Sequence, residues 1–159
     1  MRQKIAMLFA LGFLLFSCSI SKAVREERKT VNGTWTLENV GYEENEGSFK
    51  SILFNDAKAV CFEGSTWFFL NNNSTGNYNL KNSSICSGGQ RNIRWSIVEN
   101  DGGNNQLQFK FIDEKKKDIY GRTGYRFDIV SLSLSEMTLK SKVTVDGSPI
   151  SVVYEFVKQ

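Results

Sequence analysis

Few residues in this chain are of a type that does chemistry. Cysteines stand at positions 18, 61 and 86, and none of the 159 residues is a histidine. That removes the commonest general base and the commonest zinc and copper ligand together. Two thiols without histidine do not make a zinc site. No nucleophile has a base placed near it in the sequence, and no glycine-rich phosphate loop occurs. The expectation is a non-enzymatic protein with no metal and no cofactor. The cysteines are left with two roles, carrying a lipid or forming a disulfide.

Cys18 suits the first role. Arg2 and Lys4 precede an apolar run from Ile5 to Phe16, followed by Ser17 and Cys18. A bilayer span needs about 20 apolar residues, so this shorter run reads as a signal-peptide core. Leu15-Phe16-Ser17-Cys18 resembles a bacterial lipobox, where the signal is cut before a cysteine that carries diacylglycerol. Residues 1–17 are then a lipoprotein signal peptide, 18–30 a polar lipidated tether without apolar period, and 31–159 the folded domain. Ser21-Lys22-Ala23 offers an alternative cut after Ala23. The expected address is the bacterial cell envelope, at the outer membrane facing the periplasm, with contact to the membrane through the lipid on Cys18. Without residues 1–17 the chain carries 18 basic and 17 acidic residues. Such a balance gives no nucleic-acid signal, and a monomer is expected. Lys115-Lys116-Lys117 is the one basic run, and Asp113, Glu114 and Asp118 flank it as in a solvated turn.

Cys61 and Cys86 suit the second role, since an oxidising compartment favours a disulfide. Between them the chain reads as a hairpin with its tip at Asn71–Gly76. Pairing outward sets Phe69 opposite Tyr78, Trp67 opposite Leu80, Ser65 opposite Asn82, Glu63 opposite Ser84 and Cys61 opposite Cys86. Alternation puts all ten on one face.

The rest of the sequence follows the same period. Trp35 and Leu37 mark a first strand. Ile93, Trp95 and Ile97 pair with Phe111, Phe109 and Leu107 in a second hairpin. Tyr125, Phe127 and Ile129 mark another strand. A last hairpin turns at Asp146-Gly147, with Val143, Ser141, Leu139 and Met137 facing Ile150, Val152, Tyr154 and Phe156. Between the first strand and Cys61, Asn55 or Asp56 could cap a short helical turn through Ala57-Lys58-Ala59. Phe49, Ile52, Leu53 and Phe54 give that connection apolar contacts suited to a lid or plug.

Eight strands with one apolar face make a closed barrel or a sandwich. In a barrel the last strand runs beside the first, placing Leu37 near Phe156 and Trp35 near Lys158. Either way the predicted fold is all-β, eight antiparallel strands with a short helical turn in the first connection.

Gly33-Thr34-Trp35 resembles the Gly-x-Trp motif of lipocalins, with Lys158 where a lipocalin places a basic residue over the tryptophan. The chain is similar to small lipocalin-like lipoproteins of Bacteroidetes in Asn32-Gly33-Thr34-Trp35, Asn55-Asp56-Ala57-Lys58-Ala59 followed by Cys61, Ser65-Thr66-Trp67, Gly76-Asn77-Tyr78, Glu136-Met137-Thr138-Leu139-Lys140 and Tyr154-Glu155-Phe156-Val157-Lys158. Lysine rather than arginine at 158 is a departure. The resemblance implies the closed solution, an eight-stranded antiparallel up-and-down barrel, and with it a carrier of a small hydrophobic molecule.

Gly33, Trp35 and Lys158 read as structural, closing one end of the barrel. The inward rings nearest a ligand would be Trp67, Phe69 and Tyr78 from one hairpin, Trp95 and Phe109 from the next, then Phe127 and Tyr154. Phe111, Tyr125 and Phe156 share their face. So many rings either cup a flat or extended apolar molecule or fill the lumen of a structural or interaction barrel that takes no ligand. Glu63 and Arg91 fall at strand ends, as rim groups.

Overall fold

Alternating apolar and polar side chains leave each strand one face that must be buried on a second layer or on its own sheet. The computed structural model describes residues 20–43, 52–121, 123–145 and 148–159, and in it the sheet closes on itself. The signal segment with Cys18, Phe49 and the Asp146-Gly147 turn lie outside the described residues. The strands are β1 (Gly33–Tyr42), β2 (Ile52–Leu53), β3 (Ala57–Lys58), β4 (Ser65–Leu70), β5 (Thr75–Leu80), β6 (Gly89–Val98), β7 (Gln106–Phe111), β8 (Tyr125–Leu132), β9 (Glu136–Val145) and β10 (Ser148–Lys158). All are antiparallel, and the barrel runs in the order β1-β10-β9-β8-β7-β6-β5-β4, while β2 and β3 form a separate small hairpin.

Closure follows the predicted register, with Trp35 beside Lys158 and Leu37 beside Phe156. The β6–β7 and β9–β10 pairs also stand as the alternation predicts. A bulge between Leu37 and Asn39 resets β1, so that Val40 rather than Asn39 turns inward.

The β4–β5 hairpin differs from expectation by two residues. Trp67 pairs with Tyr78 and Phe69 with Gly76. The turn is tighter than expected, with Ser74 at φ 57° and Gly76 already inside the ladder. A Cβ on Gly76 would lie 2.2 Å from the Phe68 carbonyl oxygen, so glycine is required there by close approach rather than by the turn. A shift of two keeps every side chain on its face, so the inward set is unchanged. The Cys61–Cys86 disulfide forms, with Cα atoms 5.6 Å apart. It lies off the ladder, however, joining a 3₁₀ turn, Ala59–Cys61, to the loop after β5.

Two other segments depart from the prediction. The expected helical turn at 57–59 is displaced, because Ala57 and Lys58 pair with Leu53 and Ile52 and the 3₁₀ turn starts only at Ala59. The segment read as a polar tether contains a helix, α1 (Lys22–Val31). Ser21 caps it, its Oγ accepting from the Val24 N–H at 3.3 Å, and Arg28 and Lys29 lie at its C-terminal end. Val24 and Val31, seven residues apart on one face, are buried against the barrel. Burying two valines contributes about 1.5–3 kcal/mol each, enough to hold a helix with no long apolar stripe.

Candidate functional site

The two ends of the barrel are closed by different means. At one end Trp35 is fully buried, and its indole N–H donates to the Val31 carbonyl at 2.8 Å. The Lys158 Nζ lies 5.0 Å from the centre of that ring and donates to the Thr30 carbonyl at 2.8 Å. Gly33 holds φ 126°, and a Cβ there would meet the Lys158 Cε at 3.0 Å, so the glycine of Gly-x-Trp makes room for the lysine stem. Arg28 of α1 stacks 4.8 Å from the Trp95 ring centre and bonds the Asn71 side chain and carbonyl and the Ser74 hydroxyl. Burial lowers the pKa of that guanidinium.

At the other end the described part of the connection between β1 and β4, from Ile52 onward, covers the mouth. Phe54, from the turn between β2 and β3, is buried with its ring 5.1–6.2 Å from those of Phe62, Trp67, Phe109, Tyr125, Phe127 and Tyr154. It takes this place in an unfavourable backbone conformation. Phe54 has φ 56° and Asn55 φ 52°, the left-handed region, which costs a bulky residue about 1–3 kcal/mol.

Polar side chains latch this loop. Tyr125 donates its hydroxyl to the Phe54 carbonyl at 2.6 Å. Asp56 accepts from the Tyr78 hydroxyl at 2.8 Å and from Arg91, whose Nε lies 2.9 Å from Oδ2. Arg91 spends its remaining donors on the carbonyls of Ser87, Gly88 and Gly89. The two charged side chains are each about one-fifth exposed, 20% for Arg91 and 19% for Asp56, so the pair is only partly screened by solvent. Burial first, then the hydrogen bond and charge of Asp56, raises the Tyr78 pKa, which keeps it a phenol and a donor. Burial also raises Tyr125 and pushes Tyr154 up to about 12.

All seven candidate lining residues are buried in the lumen, though at two levels. Trp67, Phe109, Phe127 and Tyr154 touch Phe54, and Tyr78 stacks on Trp67 at 4.4 Å. Phe69 and Trp95 pack on each other at 5.4 Å, with Trp95 under Arg28 at the closed end. Arg91 is a latch rather than a free rim group. Glu63 is exposed and its carboxylate accepts from the Val40 N–H at 3.4 Å. Asp56 was read as a helix cap and Arg28 as part of a tether. A carboxylate in an otherwise apolar stretch was the one signal that could have marked Asp56.

A family model described as a lipocalin-like domain matches residues 31–139, well over half of the chain. The chain belongs to the lipocalin-like domain family. That match stops short of β10, so the closure of this lipocalin-like barrel through Trp35 and Lys158 is known from the structure. Among solved structures, bovine odorant-binding protein with a selenium-containing odorant is 16% identical over 83% of this chain and 72% of that one, with a TM-score of 0.42. The same bovine protein complexed with its natural ligand is 15% identical over 90% and 77%, with a TM-score of 0.42. Its deswapped triple mutant is 16% identical over 82% and 74%, with a TM-score of 0.43. At this distance these likenesses say nothing of what the lipocalin-like domain described here binds. No curated protein matches the chain.

Proposed function

We propose that this protein is a lipid-anchored, non-enzymatic binding barrel of the bacterial cell envelope, at the outer membrane facing the periplasm, and that it takes up a small hydrophobic molecule in the mouth half of its lumen. One observation carries this reading. The ring at the centre of the mouth, Phe54, comes from a strained loop rather than from a strand, so the barrel can release it without breaking a ladder. Its place adjoins a cavity of about 470 Å³, within the usual size of a small-molecule site. A bound apolar molecule would replace the Phe54 ring and relieve its backbone. The charge left after removal of residues 1–17 is nearly balanced, which supports a reading without a nucleic-acid partner.

Helix α1 supports lipidation at Cys18. A cut after Ala23 would remove Ser21, which caps the helix, and most of the first turn above buried Val24. A cut before Cys18 leaves the helix whole. Intact-mass analysis of membrane-extracted protein should show the acylated form, and a mature chain beginning at Val24 would refute it.

A second reading, a filled scaffold, is favoured by rings that already meet across the lumen, such as Trp67 with Phe109 at 5.7 Å. Uptake of a neutral fluorescent probe, N-phenyl-1-naphthylamine, separates the two when run beside denaturant melts. Phe54→Ala should raise uptake several-fold and cost less than Trp35→Ala, because the loop that carries it can rearrange once the ring is gone. If neither wild type nor Phe54→Ala takes up probe and Trp35→Ala does, the barrel is a scaffold.

A further inference from the structure

The wall of the barrel is not paired along its whole height. β8 and β9 share a ladder only from Asp128 with Lys140 to Leu132 with Met137, although β8 starts at Tyr125 and β9 runs on to Val145. Continued in register, the ladder would next set Phe127 against Ser141 and Arg126 against Lys142. Continued pairing would thus set two cations directly opposite each other on neighbouring strands. Both side chains are exposed, and no carboxylate among the described residues pairs with either.

The unpaired stretch is a slot in the wall, and the cavity of about 470 Å³ lies within it. Its apolar edges are Tyr125, Phe127 and Val143, and Phe54 and Tyr154 stand behind it. Arg126 and Lys142 flank it on the outside. Backbone groups of the two strands have no ladder partner across it. A passage with an apolar floor, free backbone polar groups and two cations at its lip matches a molecule with one aliphatic chain and an anionic head.

Resting on the lumen-binding reading above, we propose that this slot is a lateral port for a long-chain carboxylate. Its tail takes the place of the Phe54 ring, and its carboxylate sits between Arg126 and Lys142. Two exposed charge-assisted contacts of this kind are together worth about tenfold in affinity.

The test compares cis-parinaric acid with its methyl ester by fluorescence on purified protein. The acid should bind about tenfold more tightly than the ester, and that preference should fade as salt rises. Arg126→Gln with Lys142→Gln should bring the acid down to the ester's affinity and leave the melting midpoint unchanged. Lys142→Glu, which sets an ion pair across the slot, should slow association of both probes. Equal binding of acid and ester in wild type, or a preference untouched by the double variant, overturns head recognition. Unchanged association rates in Lys142→Glu overturn the port. In each of those cases binding in the lumen still stands. If neither probe binds wild type or Phe54→Ala, the lumen reading fails and takes the port with it.

Discussion

The closed end and the mouth of this barrel use similar parts to different effect. Each has a buried aromatic ring and a carbonyl tied down by a side-chain donor. At the closed end the ring is Trp35, held by a ladder strand in regular conformation beneath a helix. At the mouth it is Phe54, held by a loop in the left-handed region and latched through Asp56, Arg91, Tyr78 and Tyr125. A contact carried by a ladder opens only with global unfolding. One carried by a strained loop can open locally, at the low end of the protein's stability range. The difference leaves one end held by the barrel ladder and the other by a strained, latched loop.

Trp35→Ala should strike hardest. It leaves a cavity under α1 and should cost about 3–5 kcal/mol in a denaturant melt. A cost below that of Phe54→Ala would reverse the comparison. Next comes the disulfide, which ties the lid's end to the loop after β5. Closing a loop with a sequence separation of 25 is worth about 3 kcal/mol in the chain-entropy model, so Cys61→Ser with Cys86→Ser should lose roughly that amount and hasten probe entry at the mouth.

The third test uses alkali. Tyr154 keeps its proton in the folded state up to about 12, against an ordinary value of 10.0. The stability this contributes is complete below pH 10 and is lost as pH rises toward 12, by about 2–3 kcal/mol. Tyr78 and Tyr125 are shifted in the same direction, so the mouth should loosen in alkali before the closed end does. Tyr154→Phe should flatten the fall in stability above pH 10 by one proton's worth, read from melts across that range. The smallest effect belongs to Lys158→Ala, which loses a contact with the Trp35 ring worth about 0.5–1 kcal/mol and one carbonyl bond. A loss matching that of Trp35→Ala would mean that the lysine, not the indole, holds the closed end.

Much of this frame was readable because side chains in a strand alternate with a period of two. Trp95, Phe109, Leu139 and Tyr154 each face inward with the partners the alternation assigns. The same period explains the error at Trp67 and Tyr78. A slip of two residues leaves every side chain on its face, and pattern alone cannot separate the two registers. The disulfide pair was foreseen from a register that the structure does not have. Cys61 and Cys86 meet because the chain on both sides of β4 and β5 folds back to the same rim.

By itself the sequence determined which side chains face inward and that β1 meets β10 with Trp35 at Lys158. Those features follow from local periodicity and from the limits on closing eight strands. Only the tertiary structure decided the rest. Helix α1 buries Val24 and Val31 because the barrel floor offers them a surface, and two apolar residues are too few to signal a helix without it. Phe54 adopts a conformation that its own backbone disfavours because six rings and a latch of four side chains hold it there. Arg126 and Lys142 reach the same slot between β8 and β9 only once the register of those strands is set. Each of these depends on groups brought together from distant parts of the chain, where no local pattern reaches.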